Sequence, residues 1–283
     1  MSESSDERDS GQEILSAQPE SETIEATRYV DMWALRSVHP TNIDLLQQLK
    51  TADDRQFGAN MDVCGTISEK DLNTGDWEKT HIVGIRADAW EAAEDRRLVL
   101  KMFKSTSKNI RWQATVEELT TREIHNTIGS RRAVLTLVII LEGHEYMIHV
   151  QQNHRTFRIP SLFTFAFHDD KEDRTWYISL KRKWISIGAD FVLESGGKRI
   201  AVIDGKLISL GYNAHIHVLE PSLAKNRRFL DLLSIFAASV GYHRAVRRGI
   251  RRRVRAVKAG RPISHKVEDE EFWLLKNPRR RAA

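Results

Sequence analysis

The chain has 283 residues, of which 41% are apolar, with a formal net charge of +5 and a single cysteine. This length fits one large domain or two ordinary ones, and the apolar content is sufficient for a sizeable core. One cysteine excludes an intrachain disulfide, and the first 23 residues contain no apolar run of the kind found in secretory signals. We therefore expect a cytoplasmic protein, with peripheral membrane attachment compatible with its charge.

The charge is distributed unevenly along the chain. Residues 1–25 carry eight acids and one arginine, whereas residues 225–283 carry seventeen bases and five acids. The acidic segment lacks the apolar periodicity that offsets the entropy of ordering, so we predict that it is disordered. The basic end favours an anionic partner.

A short motif occurs twice in the second half of the chain. The sequence KWISIGADFVL at residues 183–193 is repeated as KLISLGYNAHI at residues 206–216. In each copy an alternating strand ends at a glycine, and Asp190 or Asn213 follows two positions later. Glycine tolerates the positive φ of tight turns, and Asp and Asn side chains bond to local backbone. The repeat thus predicts two copies of one β-unit.

Strand patterns dominate the chain beyond a helical pattern at residues 41–50. The predicted strands cover residues 61–67, 81–86, 98–103, 110–116, 133–141, 146–150, 162–167, 175–180 and the repeat region 184–218, with a helix at 117–126. So many short strands at close spacing favour one antiparallel barrel or sandwich over alternating strands and helices.

Residues 229–242 are apolar on nearly all sides, which is the pattern of a helix buried all round. A helix of this length extends about 21 Å, less than the roughly 30 Å of membrane hydrocarbon. Asp231 further opposes insertion into a bilayer. We therefore predict that this helix is enclosed by protein.

Together, the repeat and the hydrophobic helix resemble the LURP-one-related family, which belongs to one superfamily with phospholipid scramblases and the Tubby C-terminal domain. The matching segments are residues 176–180, the two repeat copies, the linking residues 196–205 and the helix from Phe229. The resemblance implies a mainly β fold, an antiparallel Tubby-like barrel of about twelve strands around a buried hydrophobic C-terminal helix. It also implies binding at membranes or to lipid head groups, without a catalytic centre shared by all members.

Four segments follow from these patterns. Residues 1–25 form the disordered acidic tail, residues 26–125 supply strands and a helix that complete the barrel, residues 126–243 carry the family-like strands and central helix, and residues 244–283 form a basic tail. Residues 26–125 match no motif of the family, and the family does not require the arginine-rich extension.

The basic tail predicts an amphipathic helix, because Val246, Ile250, Val254 and Val257 recur on one face and no acid occurs between Leu232 and Val267. A second basic cluster lies at the repeat. The predicted anionic-surface residues are Lys181, Arg182, Lys183, Lys206, Arg244, Arg247, Arg248, Arg251, Arg252 and Arg255. We predict a non-enzymatic protein that binds anionic phospholipid membranes or lipid head groups through these residues. The alternatives are a nucleic-acid partner for the same arginines, or a protein-interaction scaffold that uses the acidic arm and residues 272–275 to dock peptides.

No sequence motif indicates catalysis. The chain has no phosphate-binding glycine loop, dinucleotide fingerprint or nucleophile elbow, and Cys64 lies in a predicted strand where a small buried hydrophobe is expected. We therefore predict no enzyme activity, no cofactor and no small-molecule substrate. His215 and His217 alternate along a strand and face one side, which zinc exploits only with further ligands, so no metal site is predicted.

Overall fold

The computed structural model describes residues 23–33, 61–92, 96–106, 110–130, 132–153, 162–183, 189–208 and 211–261. Twelve antiparallel strands form a closed barrel, in which each strand pairs with its neighbours in sequence and the last strand pairs with the first. The strands are β1 (Ala26–Trp33), β2 (Met61–Lys70), β3 (Trp77–Arg86), β4 (Val99–Ser105), β5 (Ile110–Glu118), β6 (Thr136–Leu141), β7 (Ile148–Asn153), β8 (Leu162–Asp169), β9 (Arg174–Arg182), β10 (Phe191–Ser195), β11 (Lys198–Ile208) and β12 (Gly211–Val218).

Five helices accompany the barrel in the described part of the chain. They are α1 (Ala87–Glu91), α2 (Thr120–Ile128), α3 (Pro221–Ala224), α4 (Arg227–Val240) and α5 (His243–Lys258). The predicted barrel around a hydrophobic C-terminal helix is confirmed, and α4 is that helix. The predicted helix at 41–50 and the terminal segments 1–22 and 262–283 lie outside the described residues.

Helix α4 lies inside the barrel and is buried from Leu232 to Val240. Asn226 caps its N-terminus by accepting a hydrogen bond from the Phe229 backbone amide at 3.3 Å. Phe236 on α4 has its ring centroid 5.5 Å from that of Phe163 on β8 and 5.8 Å from that of Phe191 on β10. Because strands surround the helix, its apolar side chains form the centre of the core.

Most predicted strands overlap with observed ones, but several expectations differ from the structure. Strand β1 was not predicted, since its sequence ATRYVDMW places a charged residue at a position that proves to face inward. The helix predicted from residue 117 begins at Thr120, because Glu117 and Glu118 still pair in β5 with β6. The strand predicted from residue 133 begins at Thr136.

The described parts of the two repeat copies occupy equivalent places in the barrel, beside the β9–β10 and β11–β12 connections, and residues 184–188 and 209–210 lie outside the described residues. The Lys183 amide donates to the Asp190 carbonyl oxygen at 3.0 Å, and Lys206 pairs with Asn213 at the corresponding positions of β11 and β12. The Asp190 side chain accepts a hydrogen bond from the Gly205 amide of β11 at 2.9 Å. It therefore links one copy to the other.

A buried ionic cluster joins β1 to the first turns of α4. Arg28 donates to Asp231 Oδ1 at 2.7 Å, to Ser234 Oγ at 3.2 Å and to Glu69 Oε1 at 2.5 Å. His81 Nε2 lies 3.8 Å from the same Asp231 oxygen. Burial and then the nearby cations, Arg28 first, lower the pKa of His81 well below its usual value, whereas burial raises the pKa of Asp231.

Replacing Phe236 by alanine is expected to lower the free energy of unfolding by about 3–5 kcal/mol, because the cavity would lie at the centre of the barrel. Urea unfolding followed by circular dichroism measures this change. The matched control is Tyr177→Ala on β9, whose residue is 76% exposed and whose loss should change stability by less than about 0.5 kcal/mol. Equal effects of the two substitutions would contradict a central position for Phe236.

Candidate anion-binding surface

Helix α5 follows α4 after the short turn at Gly241 and Tyr242 and covers one end of the barrel. Its C-terminus is closed by a Schellman motif, in which the Gly260 amide donates to Val257 O at 2.9 Å and the Arg261 amide to Ala256 O at 3.0 Å. Gly260 has φ +75°, a left-handed conformation that glycine adopts without strain.

The apolar face of α5 packs against the core of the barrel. Val246, Ile250 and Val254 are buried, and Val257 is partly buried against the same core. The predicted amphipathic helix is therefore present, with its apolar face covered by the chain's own barrel. This face is not available to enter a lipid bilayer while α5 remains docked.

Arg253 anchors α5 to the barrel. Its guanidinium donates to Glu123 Oε2 at 3.0 Å and to Arg96 O at 2.7 Å, and it forms an ion pair with Glu118. Both carboxylates also accept backbone amides, Leu98 N at 2.9 Å for Glu118 and Thr136 N at 3.1 Å for Glu123. The side chain of Arg253 is only 10% exposed, so this ion pair lies in the protein interior.

The electrostatics of this anchor are those of a buried ion cluster. Burial and then the neighbouring Glu118 raise the pKa of Glu123 well above its usual value. Burial alone would lower the pKa of Arg253, but Glu118 and Glu123 outweigh it and raise that pKa. The charge of Arg253 is thus paired inside the protein and is not exposed to a binding partner.

Six other bases of α5 point away from the barrel and form what we call the arginine face. At 100° per residue its members fall within an arc of about 120° on the helix. The members are Arg244, Arg248, Arg251, Arg252, Arg255 and Lys258, and all six are exposed. No acidic residue occurs in α5 to neutralise them.

Arg182, at the end of β9, brings a second basic element to α5. Burial, and then the charges of Arg182 and Arg251, lower the pKa of the half-buried Arg247 on α5. Three guanidinium groups from two elements therefore lie close enough to repel one another. A polyanion placed here would relieve that repulsion.

The structure separates the other predicted residues of the repeat. Lys183 is exposed immediately after Arg182, but Lys181 points to the outer wall of the barrel and pairs with Glu194. Lys206 is exposed on the outer wall of β11, where it acts on His215. Lys181 and Lys206 thus belong to the outer wall of the barrel and not to the arginine face.

Arg253 has a role that sequence reasoning missed, since it was not among the predicted site residues. On a helical wheel it lies about 180° from Arg244, beside Val246 and Val257. This position inside the apolar stripe was a signal that it faces the barrel. The sequence contained no such signal for its partners Glu118 and Glu123, because their proximity to Arg253 depends on how α2 connects β5 to β6.

No family model, no curated protein and no solved structure matches this chain. Among residues 23–261, as far as they are described, no helix is both long and apolar enough to cross a membrane. Within the same residues, no three His, Cys, Asp or Glu side chains are grouped so that they could hold a metal ion.

Substituting Arg253 by methionine is expected to lower the free energy of unfolding by about 3–5 kcal/mol, because Glu118 and Glu123 would remain buried without their cation. Adding Glu123→Gln to that variant should recover part of the loss. Arg252→Gln is the matched control on the adjacent, exposed position, with an expected change below about 0.5 kcal/mol. Urea unfolding at pH 7 compares the three variants with the wild type, and equal stability of R253M and R252Q would exclude the anchor.

Acid pH is expected to destabilise the fold through His243, which is buried at the start of α5. Burial, Arg247 and Arg182 lower the pKa of His243 well below its usual value. The unfolded chain therefore takes up a proton near pH 6.5 before the folded chain does, so this contribution to stability is present above pH 6.5 and is lost as the pH falls. The expected slope is at most about 1.4 kcal/mol per pH unit.

The measurement is urea unfolding of the wild type and of His243→Gln between pH 7.5 and 5.5. The difference between the two proteins should narrow as the pH falls, since the variant lacks this titrating group. His125→Gln, at an exposed position on α2, is the control and should keep the wild-type slope. A constant difference between wild type and His243→Gln would refute the assignment.

Proposed function

We propose that this protein is a non-enzymatic barrel of the LURP-one-related, Tubby and scramblase superfamily that binds anionic phospholipid membranes peripherally. A closed twelve-stranded barrel around a hydrophobic helix is what the resemblance implies, and it supports this assignment. The described parts of the two repeat copies, in which Lys183 meets Asp190 and Lys206 meets Asn213, agree with it.

The observation that carries the proposal is the arginine face, which α5 holds rigidly outward. Six exposed bases share one arc of the helix, and Arg182 and Arg247 extend the positive region toward β9. Each base near an anionic leaflet contributes about 1 kcal/mol at low ionic strength. An array of this size is sufficient for attachment without a lipid anchor or an inserted helix.

The covered apolar face of α5 determines the mode of attachment. Because Val246, Ile250 and Val254 are buried against the barrel, docking to lipid involves charge and not insertion of this helix. Exposed charges are screened strongly at physiological salt, where the Debye length is about 8 Å. We therefore expect binding that weakens steeply with salt concentration.

Nucleic acid is the alternative partner, because phosphate groups of DNA or RNA would also be neutralised by this face. Residues 243–261 contain no Phe, Tyr or Trp on which bases could stack. The absence of stacking side chains from this helix favours a flat lipid surface over single-stranded nucleic acid. Duplex DNA or RNA remains the competitor that the experiment must include.

The test is co-sedimentation of the full chain with vesicles of 30% phosphatidylserine in phosphatidylcholine and with pure phosphatidylcholine, over a series from low to high salt. The binding variant replaces five members of the arginine face by glutamine: Arg244, Arg248, Arg251, Arg252 and Arg255. We expect selective binding of the wild type to the anionic vesicles and a loss of at least about tenfold in the variant. Deletion of α5 is not an equivalent test, because it also removes Arg253 and the buried valines.

The control variant removes the same number of exposed charges elsewhere on the molecule: Lys79, Lys171, Lys198, Arg199 and Lys225, each replaced by glutamine. It should keep wild-type binding, and thermal unfolding should be alike for all three proteins. Equal vesicle binding by the two variants would overturn the proposal. Preferential release of the wild type from vesicles by duplex DNA or RNA at equal phosphate concentration would favour the nucleic-acid alternative.

A further inference from the structure

A cluster of ring side chains lies on the outer wall of the barrel, where β12, β1 and the β2–β3 hairpin meet. The ring centroid of His215 on β12 is 4.8 Å from that of Tyr29 on β1 and 5.7 Å from that of Trp77 on β3. His217 projects from the same side of β12, with its centroid 6.0 Å from that of His215 and the two ring planes within 5°. Both imidazoles are half-buried and Trp77 is 43% exposed, so solvent reaches the cluster.

The ring nitrogens of this pair are available as ligands. His217 Nδ1 lies 3.3 Å from Thr27 Oγ1, which faces it across the β1–β12 pairing. If Nδ1 carries the proton and shares it with this hydroxyl, the lone pair on Nε2 is left for a metal ion. A hydrogen bond to the other ring nitrogen commonly fixes this tautomer in metal-binding histidines. Among the described residues, none hydrogen-bonds to either ring nitrogen of His215.

The charges around the pair keep both imidazoles in the neutral, metal-binding form. Burial lowers the pKa of both rings, and His215 lowers that of His217 further. Lys70 also lowers the pKa of both rings, and Lys206 lowers that of His215. Asp204, which faces His215 from β11, raises the pKa of both rings and so opposes these cations. A cation here thus meets one carboxylate and two ammonium groups in addition to its ligands.

The separation of the rings fits a chelate. Two imidazole nitrogens bound to one ion at about 2.0–2.1 Å place the ring centroids about 4.5 Å apart at a right angle and about 6.3 Å apart in a line. The observed 6.0 Å lies between these two values, so binding at adjacent corners of a tetragonal ion requires the two rings to rotate toward each other.

The absence of a third protein ligand among the described residues limits the choice of metal. A structural zinc site is closed by four protein ligands, which this wall does not offer. Copper(II) has the highest affinity of the divalent first-row ions for a given set of nitrogen ligands and accepts tetragonal coordination completed by water. We propose that His215 and His217 form a two-imidazole binding site for Cu²⁺ on the outer wall of the barrel, separate from the arginine face.

The test is titration of the full chain with Cu²⁺ alone at pH 7.4 in a non-coordinating buffer, by calorimetry, with electron paramagnetic resonance of the one-equivalent complex. We expect one preferred equivalent with two coordinated nitrogens. His215→Gln and His217→Gln should each weaken it by about tenfold or more and leave one nitrogen, because each removes one of the two imidazole ligands. Both positions lie on the outer wall of the barrel, so we expect the two variants to fold. Thermal unfolding is the measurement that checks this.

Two controls locate the ion. His125→Gln on α2 and His168→Gln on β8 remove histidines elsewhere and should leave the first equivalent unchanged. Cu²⁺ quenches nearby tryptophan fluorescence, so Trp77→Phe should remove part of the quenching seen in the wild type while binding persists. Unchanged affinity in both His215→Gln and His217→Gln, or a loss in His168→Gln instead, would overturn the proposal.

Discussion

The structure depends on the complete enclosure of α4. This helix is apolar on nearly every side beyond its first turn, so no single sheet face can cover it, and only a barrel closed around it removes its apolar side chains from water. Closure requires β1 to pair with β12. The first and the last described strands therefore lie side by side in one wall of the barrel. The ion pair of Arg28 with Asp231 lies at this seam and ties the enclosing strand to the enclosed helix.

The same enclosure determines how the arginines of α5 are used. The chain leaves the interior of the barrel at Gly241. Helix α5 then covers one end of the core, so its valines and Ile250 face inward. Arg253 turns inward with them and meets two carboxylates that have no other buried cation in the described structure. The other bases are left on the outside by geometry. A stabilising helix and a positively charged surface are therefore two faces of one element.

Much of this architecture could be predicted from the sequence, because hydrophobic periodicity reports burial. The strands from β2 to β12 and helix α4 follow from alternation and from a continuous apolar run. The proximity of Arg182 to Arg247 could not be predicted in this way, since it depends on which strand ends lie beside α5 at one end of the barrel. Strand β1 was missed because Arg28 faces inward, and only its distant partner Asp231 explains that position. Periodicity indicates which face of a helix or strand is buried, whereas contacts between residues distant in sequence depend on the topology.

The seam between β1 and β12 also constrains how the chain reaches its native state. Residues 28 and 231 are 203 positions apart, and β1 is made first while its second neighbour is made nearly last. Contacts of such separation in sequence carry a large loop-closure cost and slow folding. During synthesis one edge of β1 stays open until β12 leaves the ribosome, and an open strand edge can pair with another chain. A nascent chain of this kind has most to gain from a chaperone that shields its first strand.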